Sequence, residues 1–199
     1  MKKSILLIIS SLLFLSIIIY YVQSLDSLSK KAENGDSVAQ LKLAEKYLKG
    51  QGVPCDTTKA FYWTKKSAEQ GYADAQYSLG WMYITGKGVL IDPAKAFYWT
   101  KKSAEQGNAK AQFLLGAMYD NGVGTLTDTK QAFYWNEKSA EQGYAAAQYE
   151  LGVMYYNGEG ILTNIKQSVY WIKQAYKNGY KDAGQFWKEH KLWKYEAKN

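Results

Sequence analysis

Across residues 74–85 the apolar positions Ala75, Leu79, Met82 and Tyr83 recur at helical spacing. Gly86-Lys87-Gly88 interrupts that pattern. Asp92 and Pro93 then mark a second start, a carboxylate cap ahead of a proline in the first turn. Ala96, Trp99, Thr100, Ser103 and Ala104 line one face of this second helix. Gly107 is placed to end it in a left-handed conformation. Residues 72–107 thus predict helix A, a glycine-containing loop and helix B.

The same pattern returns along the chain. AFYWTKKSAEQG stands at residues 60–71 and again at 96–107, AFYWNEKSAEQG at 132–143, and a worn copy, SVYWIKQAYKNG, at 168–179. Trp63, Trp99, Trp135 and Trp171 fall 36 residues apart. A fixed period of this size marks units that cannot bury their own apolar face and therefore stack. Four units follow, residues 36–71, 72–107, 108–143 and 144–179. Residues 25–35 form a half unit, because Ala32-Glu33-Asn34-Gly35 aligns with Ala68-Glu69-Gln70-Gly71. Residues 180–199 form a final capping helix and tail, with Phe186, His190, Trp193 and Ala197 on one inner face. Asp56, Asp92, Asp128 and Asn164 are the expected caps of the B helices. Gly80, Gly116 and Gly152 sit inside helix A at a cost of about 1 kcal/mol each against alanine. That cost predicts a close helix–helix approach, expected from an aromatic side chain of helix B. The four repeated tryptophans are expected in the core, where truncation to alanine costs about 3–5 kcal/mol.

The N-terminus departs from this pattern. Lys2 and Lys3 precede an uncharged run whose apolar part, residues 5–22, is 18 residues long. It is long for a signal peptide and sufficient for a spanning helix. Residues 1–24 are expected to act as a signal peptide or an N-terminal membrane anchor. The basic flank keeps that end inside and places the repeats outside the cytoplasm, in the periplasm or at the inner membrane.

Composition then narrows the chemistry. The 199-residue chain is 47% hydrophobic and 22% charged, as an ordered protein is. Its single cysteine, Cys55, forbids an intramolecular disulfide. All 25 basic residues are lysine, so the formal charge of +7 comes without the arginine forks typical of phosphate and guanine readers. No nucleic-acid partner is expected. His190, the one histidine, has no evident partner for catalysis, and Cys55 occupies a loop position held by Ile91, Thr127 and Thr163 in other units. Glu69, Glu105 and Glu141 recur once per unit, as packing or solvated residues do. No catalytic constellation, metal set or cofactor motif is read; a cell-wall or other hydrolase is the weaker alternative.

The motif Ala-x2-Leu-Gly-x2-Tyr-x2-Gly-x-Gly, then Asp-x2-Lys-Ala-x2-Trp-x4-Ala-x2-Gly, resembles the Sel-one-like repeat, a relative of the tetratricopeptide repeat. The match covers residues 36–179. The first unit departs by carrying Ala44 in place of the helix A glycine, and the fourth by Ser168-Val169 and Ala175-Tyr176. The resemblance implies an all-α fold, a right-handed α-solenoid of about four 36-residue helix-turn-helix repeats with a C-terminal capping helix, helix A lining the concave face. It also implies a protein or peptide partner for a monomeric adaptor or scaffold. Some exported proteins of this kind resemble immunity proteins that neutralise a secreted toxin such as a lipase. Cysteine-rich members carry a disulfide per repeat, which this chain lacks.

Positions that differ between units are the candidate contacts. On one stripe of helix A, residues 42, 78, 114 and 150 read Lys, Ser, Leu and Glu; residues 45, 81, 117 and 153 read Glu, Trp, Ala and Val; residues 48, 84, 120 and 156 read Leu, Ile, Asp and Tyr. Such variety is expected to preclude one repeated contact. The expected partner-binding residues are Ser78, Trp81, Ile84, Leu114, Ala117, Asp120, Glu150, Val153 and Tyr156, with Trp81, Ile84, Leu114 and Tyr156 as exposed apolar anchors.

Overall fold

The computed structural model describes residues 23–196. The expected signal or anchor at residues 5–22, and Ala197, lie outside the described residues. Residues 23–33 form helix α1. Eight helices of 13 residues follow: α2 (Ser37–Lys49), α3 (Thr57–Glu69), α4 (Ala73–Thr85), α5 (Pro93–Glu105), α6 (Ala109–Asn121), α7 (Thr129–Glu141), α8 (Ala145–Asn157) and α9 (Ile165–Lys177). Helix α10 (Lys181–Glu189) and a 3₁₀ turn (Leu192–Tyr195) close the described chain. No strand occurs among the described residues. Substantial packing joins helices that are consecutive in sequence, α2 with α3, α3 with α4 and so on to the C-terminus, as in a solenoid. Even-numbered helices are the A helices and odd-numbered ones the B helices.

The expected caps are in place. Asp56, Asp92, Asp128 and Asn164 each accept a backbone N–H from the first turn of a B helix. Every complete A helix ends on a glycine in the left-handed region, Gly50, Gly86, Gly122 or Gly158. The B helices stop two residues before their glycine: Gln106 caps α5 and Gly107, at φ 91°, turns the chain.

Helix A meets helix B at the internal glycine, but the group opposite is not aromatic. A Cβ on Gly80 would collide with Oγ1 of Thr100; at Gly116 it would meet Asn136, and at Gly152, Ile172. So close an approach leaves no room for an indole between the helices. The B-helix residues fully buried there are small, Ala60, Thr64, Ser67 and Ala68 in α3. The repeated tryptophans are accordingly only partly buried, not core residues as expected. Trp63, Trp99, Trp135 and Trp171 flank the core, each meeting the preceding tyrosine edge to face with ring centres 5.0–5.1 Å apart.

Two polar ladders fix one repeat on the next. Gln40, Gln76, Gln112 and Gln148 are buried, and each donates to the carbonyl of the alanine eight residues earlier, Ala32, Ala68, Ala104 or Ala140. Their own amide oxygens accept from Gln70, Gln106, Gln142 and Asn178 at 2.6–2.8 Å. Ser67, Ser103 and Ser139 donate to the carbonyls of Ser37, Ala73 and Ala109. A buried amide is affordable only when both its ends are bonded, and here each is. The Gln40–Ala32 bond shows that α1 stands where a B helix would.

The C-terminal cap differs from its expectation. Helix α10 ends at Glu189, and Lys191 takes φ 52°. That left-handed residue breaks the helical face, so Leu192 enters the core while Trp193 remains 45% exposed.

Candidate interaction face

The stripe on helix A is built by a register that links neighbouring units. Residues 30 apart come together across the A helices, a last-turn position of one unit beside a second-turn position of the next. Leu48 and Ser78 line one groove of about 230 Å³ together with Tyr77, Trp81 and Met82. Ile84 and Leu114 pack on the same cluster around Leu79, Tyr83 and Met118. Asp120 acts electrostatically on Glu150. Tyr156 meets Phe186 edge to face at 5.5 Å.

This register corrects two expectations. The stripe does serve one repeated contact; the paired residues change together from unit to unit. Trp81, Ile84, Leu114 and Tyr156 are partly buried, not exposed, because each leans on its neighbour's helix. Trp81 borders the 230 Å³ groove with the Lys87 ammonium 4.8 Å from its ring centre. Val153 and Tyr156 belong to the terminal core with Phe186 and Leu192. Ser78 is occupied locally, its hydroxyl donating to the Asp74 carbonyl at 2.8 Å, and Ala117 is partly buried.

The Asp120–Glu150 pair stands apart. The other three cross-repeat pairs join apolar or aromatic groups, or an apolar group with a hydroxyl. This one sets two carboxyl groups within electrostatic reach of each other. Burial first, then the charges of Asp120 and Glu159, hold the Glu150 carboxyl above its ordinary range. Asp120 is exposed and Glu150 is partly buried. Such a pair gains from a nearby cation.

The remaining candidates make local contacts. The His190 ring stacks on Phe186 at 4.0 Å, approaches Tyr156 at 4.7 Å, and its Nδ1 lies 3.0 Å from the Phe186 carbonyl. Cys55 is exposed and free, its thiol pointing to the Leu48 carbonyl at 3.5 Å. Glu69, Glu105 and Glu141 pair on the surface with Lys65, Lys101 and Lys138. Among the described residues no group of three or more His, Cys, Asp or Glu side chains is placed to hold a metal ion, and no helix is long and apolar enough to cross a membrane. The 30-residue register and the glutamine ladder were missed in the sequence. Their signals were the buried polar residue after every Ala39-type alanine and the joint variation of positions 30 apart.

Comparison with known proteins bears on both fold and face. The Sel1 repeat family model matches residues 37–72, 73–108, 109–144 and 145–180. A protective antigen from uropathogenic Escherichia coli strains, described as displaying an SLR fold, is 38% identical with a TM-score of 0.76; the match covers 78% of this chain and 33% of that one. A Sel1 repeat protein from Oxalobacter formigenes is 37% identical with a TM-score of 0.76, over 83% of this chain and 48% of that one. An immunity protein from Pseudomonas aeruginosa is 25% identical with a TM-score of 0.53, over 81% of this chain and 59% of that one. The chain thus spans about a third and about half the length of the first two. No curated protein matches it.

Proposed function

Because the chain belongs to the Sel1 repeat family, whose repeats generally mediate protein–protein interaction, we propose that it is a non-enzymatic adaptor that grips a protein or peptide along its helix A face. The observation that carries this reading is the Asp120–Glu150 pair. A monomer would be more stable with any neutral pair there, whereas a bound lysine or arginine side chain would turn the repulsion into attraction. The groove at Leu48, Tyr77 and Trp81 supplies an apolar and aromatic contact on the same face. The partner is therefore a segment that carries a basic side chain and, two repeats along the face, an apolar anchor. Residues 5–22 deliver the repeats to the envelope, as a cleaved signal or a retained anchor.

A second reading, an immunity protein that neutralises a secreted toxin, is favoured by the likeness to the Pseudomonas aeruginosa immunity protein. Both readings share one test. The full chain and its Asp120→Asn, Glu150→Gln variant serve as baits in native cells. One dominant partner, lost in the variant, is expected, and that partner's identity separates adaptor from immunity protein. Equal capture by both baits would sink the assignment of the acid pair.

A further inference from the structure

The loops between helices A and B carry a row of leucines with no packing role. Leu90, Leu126 and Leu162 stand 36 residues apart and are 88%, 87% and 87% exposed. Ile91 and Ile161 extend the row. The first unit closes the same loop with Pro54, so the turn itself does not require leucine. At the opposite edge, the turns from helix B to helix A at residues 70–72, 106–108, 142–144 and 178–180 present no exposed large apolar side chain.

These loops form one continuous edge. A Cβ at Gly88, Gly124 or Gly160 would collide with the carbonyl of Thr57, Pro93 or Thr129, so each loop rests on the first turn of the preceding B helix. The N-terminal apolar segment leaves the repeats at this same edge. Helix α1 stands as a B helix, which sets Gln23 in register with Lys59 in the first turn of α3. Gln23 and Ser24 border a cavity with Gln51 of the first A–B loop. Residues 5–22, the largely apolar 18-residue run, therefore precede the described residues at the edge that carries the leucines.

We propose that the A–B loop edge is a membrane-facing edge, with Leu90, Leu126 and Leu162 seated in the interface of the bilayer that holds the N-terminal segment. The occupant is a lipid surface. Lys130 and Lys166, in the first turns of α7 and α9, lie along the same edge, where ammonium groups suit the headgroup layer; Lys95 there is paired with Asp92 at 2.8 Å. Three leucines alone bind a bilayer weakly; the tether supplies the local concentration that makes the contact persistent. The solenoid then lies along the membrane. This inference rests on residues 5–22 being retained as an anchor, and its test separates the two ideas.

The test uses the full chain reconstituted in phosphatidylethanolamine–phosphatidylglycerol vesicles. An environment-sensitive fluorophore is placed at Cys55, beside the tether, or in a Cys55→Ser, Thr163→Cys chain, at the same loop position in the last unit. The expected result is blue-shifted emission at both sites, quenched by nitroxide-labelled lipid. Leu90→Ser, Leu126→Ser, Leu162→Ser together should return position 163 to an aqueous spectrum and leave position 55 quenched. An aqueous spectrum at 163 with quenching at 55 overturns the edge and keeps the anchor; aqueous spectra at both sites overturn both. A shift at 163 that nitroxide lipid does not quench, with 163-to-163 cross-links, overturns the proposal in favour of a second copy of the chain.

Discussion

Gly184 stands where every complete repeat has the ladder glutamine, and Tyr176 stands where the preceding B helix has alanine. The two substitutions compensate. A Cβ on Gly184 would lie 3.1 Å from Cε2 and 3.4 Å from Cδ2 of Tyr176, so the ring fills the path of the glutamine side chain. Gly184→Gln alone gains about 0.5 kcal/mol of helix propensity. It costs about 1 kcal/mol in overpacking, at the low end of the range because Tyr176 is 65% exposed and its ring can swing into solvent. Tyr176→Ala alone removes an edge contact and costs about 0.5 kcal/mol. Together they rebuild an interior unit, with the residue 184 amide free to donate to the residue 176 carbonyl as Gln148 donates to Ala140 at 3.2 Å.

The double variant therefore loses the clash and gains one hydrogen bond with a net value of about 1 kcal/mol. The coupling free energy is about 2 kcal/mol in favour of the pair. Solenoids open from their ends, so hydrogen exchange at α10 amides in the detergent-solubilised chain reads the effect directly. Exchange should quicken in each single variant and return to wild-type protection or better in the double. A coupling below about 0.5 kcal/mol would mean that the two positions are independent, and the account of how the ladder ends would be wrong.

Two further outcomes follow from the buried polar groups. The Oγ1 of Thr100 is buried against Gly80 without a hydrogen-bond partner, and Ile172 already stands at that position in the last unit; Thr100→Val should raise stability by about 1 kcal/mol in a urea titration, and a fall would show that the hydroxyl is bonded. The Glu150 carboxyl titrates above its ordinary range, mainly through burial, so the folded state binds its proton more tightly than the unfolded one. Its contribution to stability is therefore present at acid pH and is lost as pH rises through the window from the ordinary glutamate range to the raised value. Glu150→Gln should flatten that part of the stability–pH curve and stabilise the chain at neutral pH; an unchanged curve would refute the burial of this carboxyl.

The units, caps and half repeat were legible because each depends on local chemistry: a carboxylate before a B helix, a glycine after an A helix, an alanine–glutamine pair at its start. The tryptophans misled. Recurrence identifies a shared role, but a large side chain at a repeated position can as easily flank the contact as fill it. Here Gly80 against Thr100 makes the contact too close for an indole. The final helix was overextended for a different reason. Trp193 continues the apolar period, yet a single left-handed Lys191 rotates Leu192 into its place. Neither outcome is written in periodicity. The stripe was read as nine residues, one at a time, whereas its physics lies in pairs 30 residues apart that only the stacking of one A helix on the next brings together.

Those pairs also separate packing from function within one face. Where Ile84 and Leu114 pack on one cluster and Tyr156 meets Phe186, variation between units trades one satisfied contact for another, and each choice lowers the free energy of the isolated chain. At Asp120 and Glu150 it does the opposite. The same backbone register holds Ser78 or Leu114 in other units, so a less repulsive choice is structurally available. A like-charged, partly buried pair kept where a neutral one fits is the kind of local cost that functional sites carry. Thr100 and Ser168 also bury an unbonded hydroxyl, but both point into the solenoid, where no partner can reach. Among the residues of the stripe, the carboxyl pair combines an unfavourable state in the free chain with access from solvent, and a cation arriving on a partner relieves it.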